Sequence, residues 1–173
     1  MRKLKLNVAV TLDGFIEGAN GEIDWCFTDQ DYGITDFLAG CDALVMGRKS
    51  FDIMLQFEPA PYPDKTIFVF SRSLKSRFSN VVVLEGNVAE HIAKLKSNSG
   101  KDIFLYGGTD LIEQCMQNGL VDEFALSVHP LLLGSGKPLF QNLKDRVNLT
   151  LVESITYDSG LVQVTYKTTT GKR

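Results

Sequence analysis

The residues best suited to chemistry form a short turn, Gly47-Arg48-Lys49-Ser50, directly after the apolar run Ala43-Leu44-Val45-Met46. Glycine lets a backbone approach a ligand closely, a following helix presents unpaired N–H groups, and two cations and a hydroxyl suit a phosphate. A second apolar run ends in the same way, at Gly107-Gly108-Thr109, again ahead of a helical pattern. The two turns predict two helix N-termini that face one elongated ligand, for which a dinucleotide is the obvious candidate.

Neither turn carries a standard phosphate-loop signature, because the chain has no G-x-G-x-x-G fingerprint and no Walker A lysine motif. Glycine at a strand end is also how many strand-to-helix turns are made, so a purely structural role for Gly47 stays open. The second turn favours ligand binding, because ligands of doubly wound sheets bind outside the carboxyl ends of parallel strands.

A third polar group, Ser71-Arg72-Ser73, follows the apolar run 66–70. Together with Arg48, these residues could form a fork around a dianionic phosphate monoester. Such a fork would favour NADP(H) over NAD(H), because the 2′-phosphate is the additional group that must be neutralised. The alternative is a solvated turn with an exposed arginine.

The chain has only two imidazoles, His91 and His129. His91 lies on the apolar stripe of a predicted helix, and His129 precedes Pro130 at a predicted strand end, where a direct functional role is the less favoured alternative. No His/Glu cluster predicts a metal site. The lack of nucleophile and metal machinery fits hydride transfer, in which a cofactor carries the difficult step and the protein orients it.

Among the carboxylates, Asp31 is the strongest candidate, because it follows Trp25 and Phe27 and opens a predicted helix. A half-buried acid at this point could protonate or hold an N-heterocycle. Burial would raise its pKa, whereas a helix N-cap position would lower it. A plain N-cap role is the alternative, and Asp29 or Asp36 could take the position instead.

The length and composition predict one domain spanning residues 1–173, since 44% of the residues are hydrophobic. A net charge of -3 argues against a broad nucleic-acid surface. No apolar run approaches the roughly 20 residues needed to span a bilayer, and the first residues do not resemble a signal peptide. We therefore expect a cytoplasmic protein whose three cysteines are reduced thiols.

Hydrophobic periodicity predicts strands and helices that alternate as far as residue 117 and strands alone after residue 122. The predicted strands cover residues 4–12, 43–46, 66–70, 81–84, 103–106, 123–129, 148–156 and 161–169. The predicted helices cover residues 31–38, 50–55, 88–95 and 109–117. This order indicates an α/β fold with a mixed, mostly parallel sheet, helices on both faces and an antiparallel C-terminal hairpin.

Four motifs, in this order, resemble the dihydrofolate reductase superfamily, and within it the branch like the reductase domain of bacterial riboflavin biosynthesis. They are Val10-Thr11-Leu12-Asp13-Gly14, Asp42-Ala43-Leu44-Val45-Met46-Gly47-Arg48, Tyr106-Gly107-Gly108 and Val128-His129-Pro130-Leu131-Leu132-Leu133-Gly134-Ser135-Gly136. The resemblance spans nearly the whole chain. It implies a three-layer fold with an eight-stranded sheet, NADPH across the strand ends, and a homodimer.

The resemblance also implies roles for individual residues. Ala9 would offer backbone groups to the nicotinamide carboxamide, and Ile16 would pack near that ring. Asp31 falls close to the acid with which dihydrofolate reductases bind the pterin, and Trp25 falls near their conserved tryptophan, so the resemblance implies that these two residues are catalytic. The other implied cofactor contacts are Gly47, Arg48, Lys49 and Ser50 on the pyrophosphate and adenosine side, Ser71 and Arg72 at the 2′-phosphate, and Gly107, Gly108, Thr109 and Asp110 at the pyrophosphate from the opposite helix.

The implied function is an NADPH-dependent reductase that transfers hydride to a small N-heterocyclic substrate, either pterin-like or ribosylaminopyrimidine-like. Folate itself is not favoured, because Lys65 aligns near the family's arginine for the folate tail and lacks its bidentate fork. The implied activity is similar to that of phosphoribosylaminouracil reductase or dihydrofolate reductase. No metal is expected. The alternative is a non-catalytic protein that binds NADPH or another ligand in the same fold.

Overall fold

A computed structural model of the chain describes residues 1–57 and 61–169. Its helices and strands, numbered in chain order, are β1 (Leu4–Thr11), β2 (Phe15–Glu17), α1 (Ile34–Ala39), β3 (Cys41–Gly47), α2 (Arg48–Phe57), β4 (Thr66–Phe70), β5 (Val81–Leu84), α3 (Val88–Ser97), β6 (Asp102–Gly107), α4 (Thr109–Gln117), β7 (Glu123–His129), β8 (Lys137–Pro138), β9 (Leu149–Thr156) and β10 (Val162–Thr168).

Eight strands form one mixed sheet in the order β5-β4-β3-β6-β1-β7-β10-β9. The first six are mutually parallel, and β10 runs antiparallel to both β7 and β9. The predicted mixed sheet and C-terminal hairpin are therefore confirmed. The hairpin turn depends on Gly160, whose φ of 85° suits glycine.

Both faces of the sheet carry an apolar core, as expected for parallel strands that are covered by helices. On one face, α3 and α4 bury residues such as Ile92 and Ile112 against Leu6 and Leu105. On the other face, α2 buries Phe51 and Met54 against β3 and β4. The alternating side chains of β3 thus supply both clusters.

The predicted helix 31–38 is wrong at its start, because α1 begins only at Ile34. Tyr32 and Gly33 have φ angles of 48° and 76°, which a right-handed helix does not allow. In contrast, α2 begins two residues earlier than predicted, directly after Gly47, so its N-terminus lies within the glycine turn. The small sheet of β2 and β8 was not predicted, because β8 has only two residues.

The neighbouring strands β1 and β6 are paired only over their first residues and separate beyond them. Their ladder joins Leu4–Leu6 to Ile103–Leu105 and then ends, whereas β1 stays paired with β7 as far as Thr11 opposite His129. The Lys3 carbonyl accepts a hydrogen bond from the Ile103 N–H. Because successive residues of a strand direct their backbone groups to alternate sides, Ala9 directs its own towards β6, beyond the end of the ladder.

The outer strand β9 is exposed along all eight residues. Its exposed apolar side chains include Leu149, Leu151, Val152 and Ile155. An edge strand of this kind is available for pairing with another chain. The homodimer that the resemblance implies stays a prediction. Among the described residues, no helix is both long enough and apolar enough to cross a bilayer.

Candidate functional site

The two glycine turns converge at the carboxyl ends of β3 and β6. These strands are neighbours, with Met46 opposite Gly107. A Cβ atom added to Gly108 would lie 3.2 Å from Ser50 Oγ, and one added to Gly107 would lie 3.9 Å from the same oxygen. Gly107 also has a φ of 127°, so glycine is required there for conformation, whereas at Gly108 it is favoured by the limited space. The first turn of α2 therefore lies against the Gly107–Gly108 segment.

The N-terminus of α4 has no side-chain cap. Its N-cap residue is Gly108, whereas at α3 the Asn87 side chain accepts hydrogen bonds from the first N–H groups. The Thr109 hydroxyl is buried and has no hydrogen-bond partner among the described residues. A buried, unpaired hydroxyl is costly, so the start of α4 fits a ligand that accepts hydrogen bonds.

A cavity of about 600 Å³, hereafter the first cavity, adjoins both helix starts. Ile16 and Glu17 of β2 and Lys137 of β8 also line it, and the Lys137 ammonium lies 3.2 Å from a Glu17 carboxylate oxygen. Most residues predicted to bind the cofactor line this cavity: Ile16, Gly47, Arg48, Lys49, Ser50, Gly107, Gly108, Thr109 and Asp110.

Ser71 and Arg72 do not line the first cavity but lie beside it, because the last residue of β4, Phe70, pairs with Gly47. The Ser71 hydroxyl accepts hydrogen bonds from the Ser73 and Leu74 N–H groups, and Arg72 is exposed. Arg48 donates from Nε to both oxygens of Asp52, each at 2.8 Å. The phosphate fork of Arg48, Ser71 and Arg72 stays a prediction.

A second cavity, of about 390 Å³, lies on the opposite face of β1. Val8 lines the first cavity and Ala9 lines the second, because successive side chains of a strand point to opposite faces of the sheet. The opening between β1 and β6 thus lies between the two cavities. Ala9, which was predicted to contact the cofactor, stands at this junction.

The second cavity has a polar floor and aromatic walls. Asn7, Ser127 and Gln163 belong to β1, β7 and β10, and Phe27 and Tyr32 come from the segment before α1. The Gln163 amide donates hydrogen bonds to the Tyr32 carbonyl at 3.1 Å and to the Ser127 hydroxyl at 3.3 Å. Within the part of the chain that the structure describes, the Gln163 carbonyl and the Ser127 O–H remain available to a ligand. This combination suits a flat ring with polar edges.

Asp31 lies at the rim of the second cavity and is exposed, so it is not the half-buried acid that was considered for this position. Its Oδ1 accepts hydrogen bonds from the Thr35 N–H at 3.2 Å and the Thr35 hydroxyl at 2.7 Å. The acid stays exposed because α1 begins late and buries none of its residues. Asp29 accepts a hydrogen bond from the Tyr32 hydroxyl, and neither Asp29 nor Asp36 lines the cavity.

The His129 imidazole lies in the wall of the second cavity and is only 2% exposed. Its Nε2 accepts a hydrogen bond from the Phe27 N–H at 3.1 Å, so we assign the ring proton to Nδ1, which donates to the Ser127 carbonyl at 3.0 Å. The Phe27 and Trp25 rings pack edgewise on it. His129 therefore fastens the segment before α1 to β7.

Sequence reasoning gave His129 little weight, although its place at a strand end before Pro130 was a usable signal. Trp25 packs on His129, with ring centroids 5.2 Å apart, and lines neither cavity. The predicted catalytic role of Trp25 stays a prediction. Within residues 1–57 and 61–169, no three His, Cys, Asp or Glu side chains are grouped to hold a metal ion.

Comparison with known proteins agrees with this geometry. The family model described as RibD C-terminal domain matches residues 2–163. The uncharacterized protein YyaP of Bacillus subtilis (strain 168) is 48% identical over 177 residues, covering 95% of this chain and 94% of that protein.

Two solved structures share the fold. A protein of Shewanella sp. PV-4 named for riboflavin biosynthesis has a TM-score of 0.83 at 28% identity, covering 98% of this chain and 99% of that chain. Dihydrofolate reductase from Enterococcus faecalis, complexed with NADP(H), has a TM-score of 0.70 at 19% identity, covering 96% of each chain. The predicted dihydrofolate reductase-like fold is therefore confirmed.

Proposed function

The chain belongs to the family of RibD C-terminal domains, and from this premise we propose that it is an NADPH-dependent reductase of a small N-heterocyclic substrate. The substrate is pterin-like or ribosylaminopyrimidine-like. One observation carries the proposal: two glycine turns converge beside the buried, unpaired Thr109 hydroxyl. A dinucleotide pyrophosphate, with its many acceptor oxygens, is the ligand that this arrangement fits best.

The residues around the first cavity suit the parts of NADPH. Thr109 and the backbone of Gly107 and Gly108 would hold the pyrophosphate, while Arg48 and Lys49 would neutralise its charge. Bound NADPH supplies a hydride from its nicotinamide ring. Ala9 would orient the nicotinamide carboxamide through its backbone groups at the opening of the sheet, and Ile16 would exclude water from the ring.

The preference for NADPH over NADH rests on Arg48, Ser71 and Arg72. Arg48 pairs with Asp52 through its Nε atom, and its terminal nitrogens are the groups that we assign to the 2′-phosphate. Arg72 follows the strand next to β3. The guanidinium groups would approach the phosphate from two neighbouring strand ends.

The substrate would occupy the second cavity, next to the opening through which the nicotinamide reaches it. Phe27 and Tyr32 would pack against the ring, and Ser127 and Gln163 would bind its polar edge. Asp31 is the acid that lines this cavity. We assign to it the binding of a ring amine or the supply of a proton as the hydride arrives.

Calorimetric titration of the purified protein with NADPH and NADH tests the proposal. We expect NADPH to bind at least about tenfold more tightly, since one additional charged contact contributes a factor of this order. The isosteric variant Thr109→Val should weaken both cofactors, and Thr150→Val on the exposed strand β9 serves as the matched control. Binding of neither cofactor contradicts the reductase, and equal binding contradicts the phosphate fork.

The exposed position of Asp31 favours one alternative, a non-catalytic protein that binds NADPH as a ligand sensor. Oxidation of NADPH in the presence of pterins and ribosylaminopyrimidines separates the two functions. Turnover that Asp31→Asn abolishes excludes the sensor. NADPH binding without turnover on any compound of the panel supports it.

A further inference from the structure

The two cavities differ in the charges that line them. Arg48, Lys49 and Lys137 line the first cavity. Among the described residues, no lysine or arginine lines the second cavity, and its charged lining residue is Asp31. A second carboxylate, Asp29, lies close by, because it accepts a hydrogen bond from the Tyr32 hydroxyl. A phosphate dianion in this cavity would therefore meet carboxylates without a cation to offset them.

Two other groups that bind phosphate in proteins, a helix N-terminus and an imidazole, are already engaged at this cavity. The N-terminus of α1 is occupied by Asp31, whose carbonyl accepts a hydrogen bond from the Ile34 N–H and whose carboxylate accepts one from the Thr35 N–H. His129 uses both ring nitrogens, one as an acceptor from Phe27. Neither the helix start nor the imidazole is free to receive a phosphate.

The Cys26 thiol lies in the wall of the second cavity, and its pKa reflects the burial and the charges around it. Its pKa is raised to about 11, first by burial and then by the charge of Asp24. At Cys41 and Cys115, burial raises the pKa as well, and neighbouring lysines act in the opposite direction, while Asp102 and Asp42 raise it further at Cys41. The charge of Asp24 thus adds to the carboxylates of Asp31 and Asp29 near the second cavity.

From these contacts we infer that the second cavity binds an unphosphorylated heterocycle, neutral or cationic, and excludes the phosphate ester of the same compound. The inference rests on the proposed function, because it defines the substrate class of that reductase. The ring packs against Phe27 and Tyr32, its polar edge contacts Ser127 and Gln163, and any amine faces Asp31.

Two matched pairs of compounds test this inference: dihydroneopterin and its monophosphate, and a ribosylaminouracil and its monophosphate. Calorimetry with the full chain, with and without saturating NADPH, measures the affinity of all four. We expect each unphosphorylated compound that binds to do so at least about tenfold more tightly than its ester, because the ester adds an unpaired dianion.

The variant Gln30→Lys places a cation in the wall of the cavity and should tighten ester binding by about tenfold. The matched control is Gln56→Lys on the exposed side of α2, which should change neither pair. An affinity ratio near one, tighter binding of an ester, or no binding of any of the four compounds overturns the inference.

The two proposals fail separately. A protein that binds neither NADPH nor NADH but prefers the unphosphorylated compounds contradicts the reductase and retains the inference about the cavity. A protein that oxidises NADPH with the ester as its better substrate retains the reductase and contradicts the inference.

Discussion

The two cavities on either side of β1 are built from different parts of the polypeptide. The first adjoins two strand-to-helix turns, where the backbone of Gly47, Gly107 and Gly108 allows close approach. The second is formed by side chains that come from strands and loops far apart in the chain. The bond from Phe27 to His129 spans 102 positions, and the one from Gln163 to Tyr32 spans 131.

The comparison shows that the glycine turns of the first cavity depend on local backbone geometry, whereas the second cavity depends on long-range packing. A backbone site keeps its shape when exposed side chains around it change, because glycine conformation and helix ends set the positions of its donors. A side-chain site changes its specificity with single substitutions. The contrast predicts that the cofactor and substrate sites can be disabled one at a time.

The largest expected effect comes from Gly107→Ala. An alanine at a φ of 127° is strained, and its Cβ approaches both Ile112 and Ser50 at 3.9 Å. We expect NADPH affinity to fall about 100-fold or more and the free energy of unfolding to fall by about 1–3 kcal/mol. Calorimetry and thermal unfolding measure the two effects.

The control for this variant is Gly119→Ala, where φ is also positive, at 62°, but an added Cβ meets no atom within 4 Å. It should lower stability without changing NADPH affinity. If Gly107→Ala binds NADPH as the parent protein does, the first cavity is not a backbone site.

The second-largest effect is expected for His129→Leu, a substitution that leaves the Phe27 N–H without its acceptor. We expect a loss of about 1–3 kcal/mol in the free energy of unfolding and a higher KM for the substrate, while the Kd for NADPH stays unchanged. His129→Gln, which restores an acceptor, should recover part of the KM. Steady-state kinetics and NADPH titration measure the split.

His91→Leu is the matched control, because that imidazole contacts the Glu85 carbonyl and Phe70 and does not line the second cavity. Its substrate KM should not change. A His129→Leu protein that loses NADPH binding to the same extent as substrate binding contradicts the separation of the two sites.

The smallest effect concerns pH and the exposed Asp13, which holds the turn after β1 to the segment before β8. The Thr11 hydroxyl and the Gly134 and Leu133 N–H groups lower the pKa of Asp13 from its ordinary value of 3.8. Because the folded pKa is the lower one, the stabilisation is present above pH 3.8 and is lost as the pH falls through the folded pKa.

We therefore expect Asp13→Asn to flatten the decline in stability below pH 3.8 relative to the parent protein. Denaturant unfolding at a series of pH values measures this. The segment held by Asp13 leads to Lys137 in the first cavity, so the variant should also alter NADPH binding slightly. Identical pH profiles for the two proteins contradict a role for this contact.

Much of the fold could be predicted because its signals are local. The bounds of β4, β5, α4 and β7 coincide with the predicted ranges. Continuous apolar runs define β4 and β5, and the periodic spacing of apolar residues between turn signals defines α4 and β7, without reference to the rest of the chain. The predicted start of α1 was wrong, because the left-handed conformation of Tyr32, a bulky residue, has no comparable sequence signal.

The candidate sites divide in the same way. The location of the first cavity could be predicted from the sequence alone, because Gly47, Gly107 and Gly108 each follow an apolar run and precede a helical pattern. Only the tertiary structure decided that Asp31 is exposed and that His129 joins Phe27 to β7. Glycine constrains its own backbone, whereas burial and charge at a side chain depend on which distant segments pack around it.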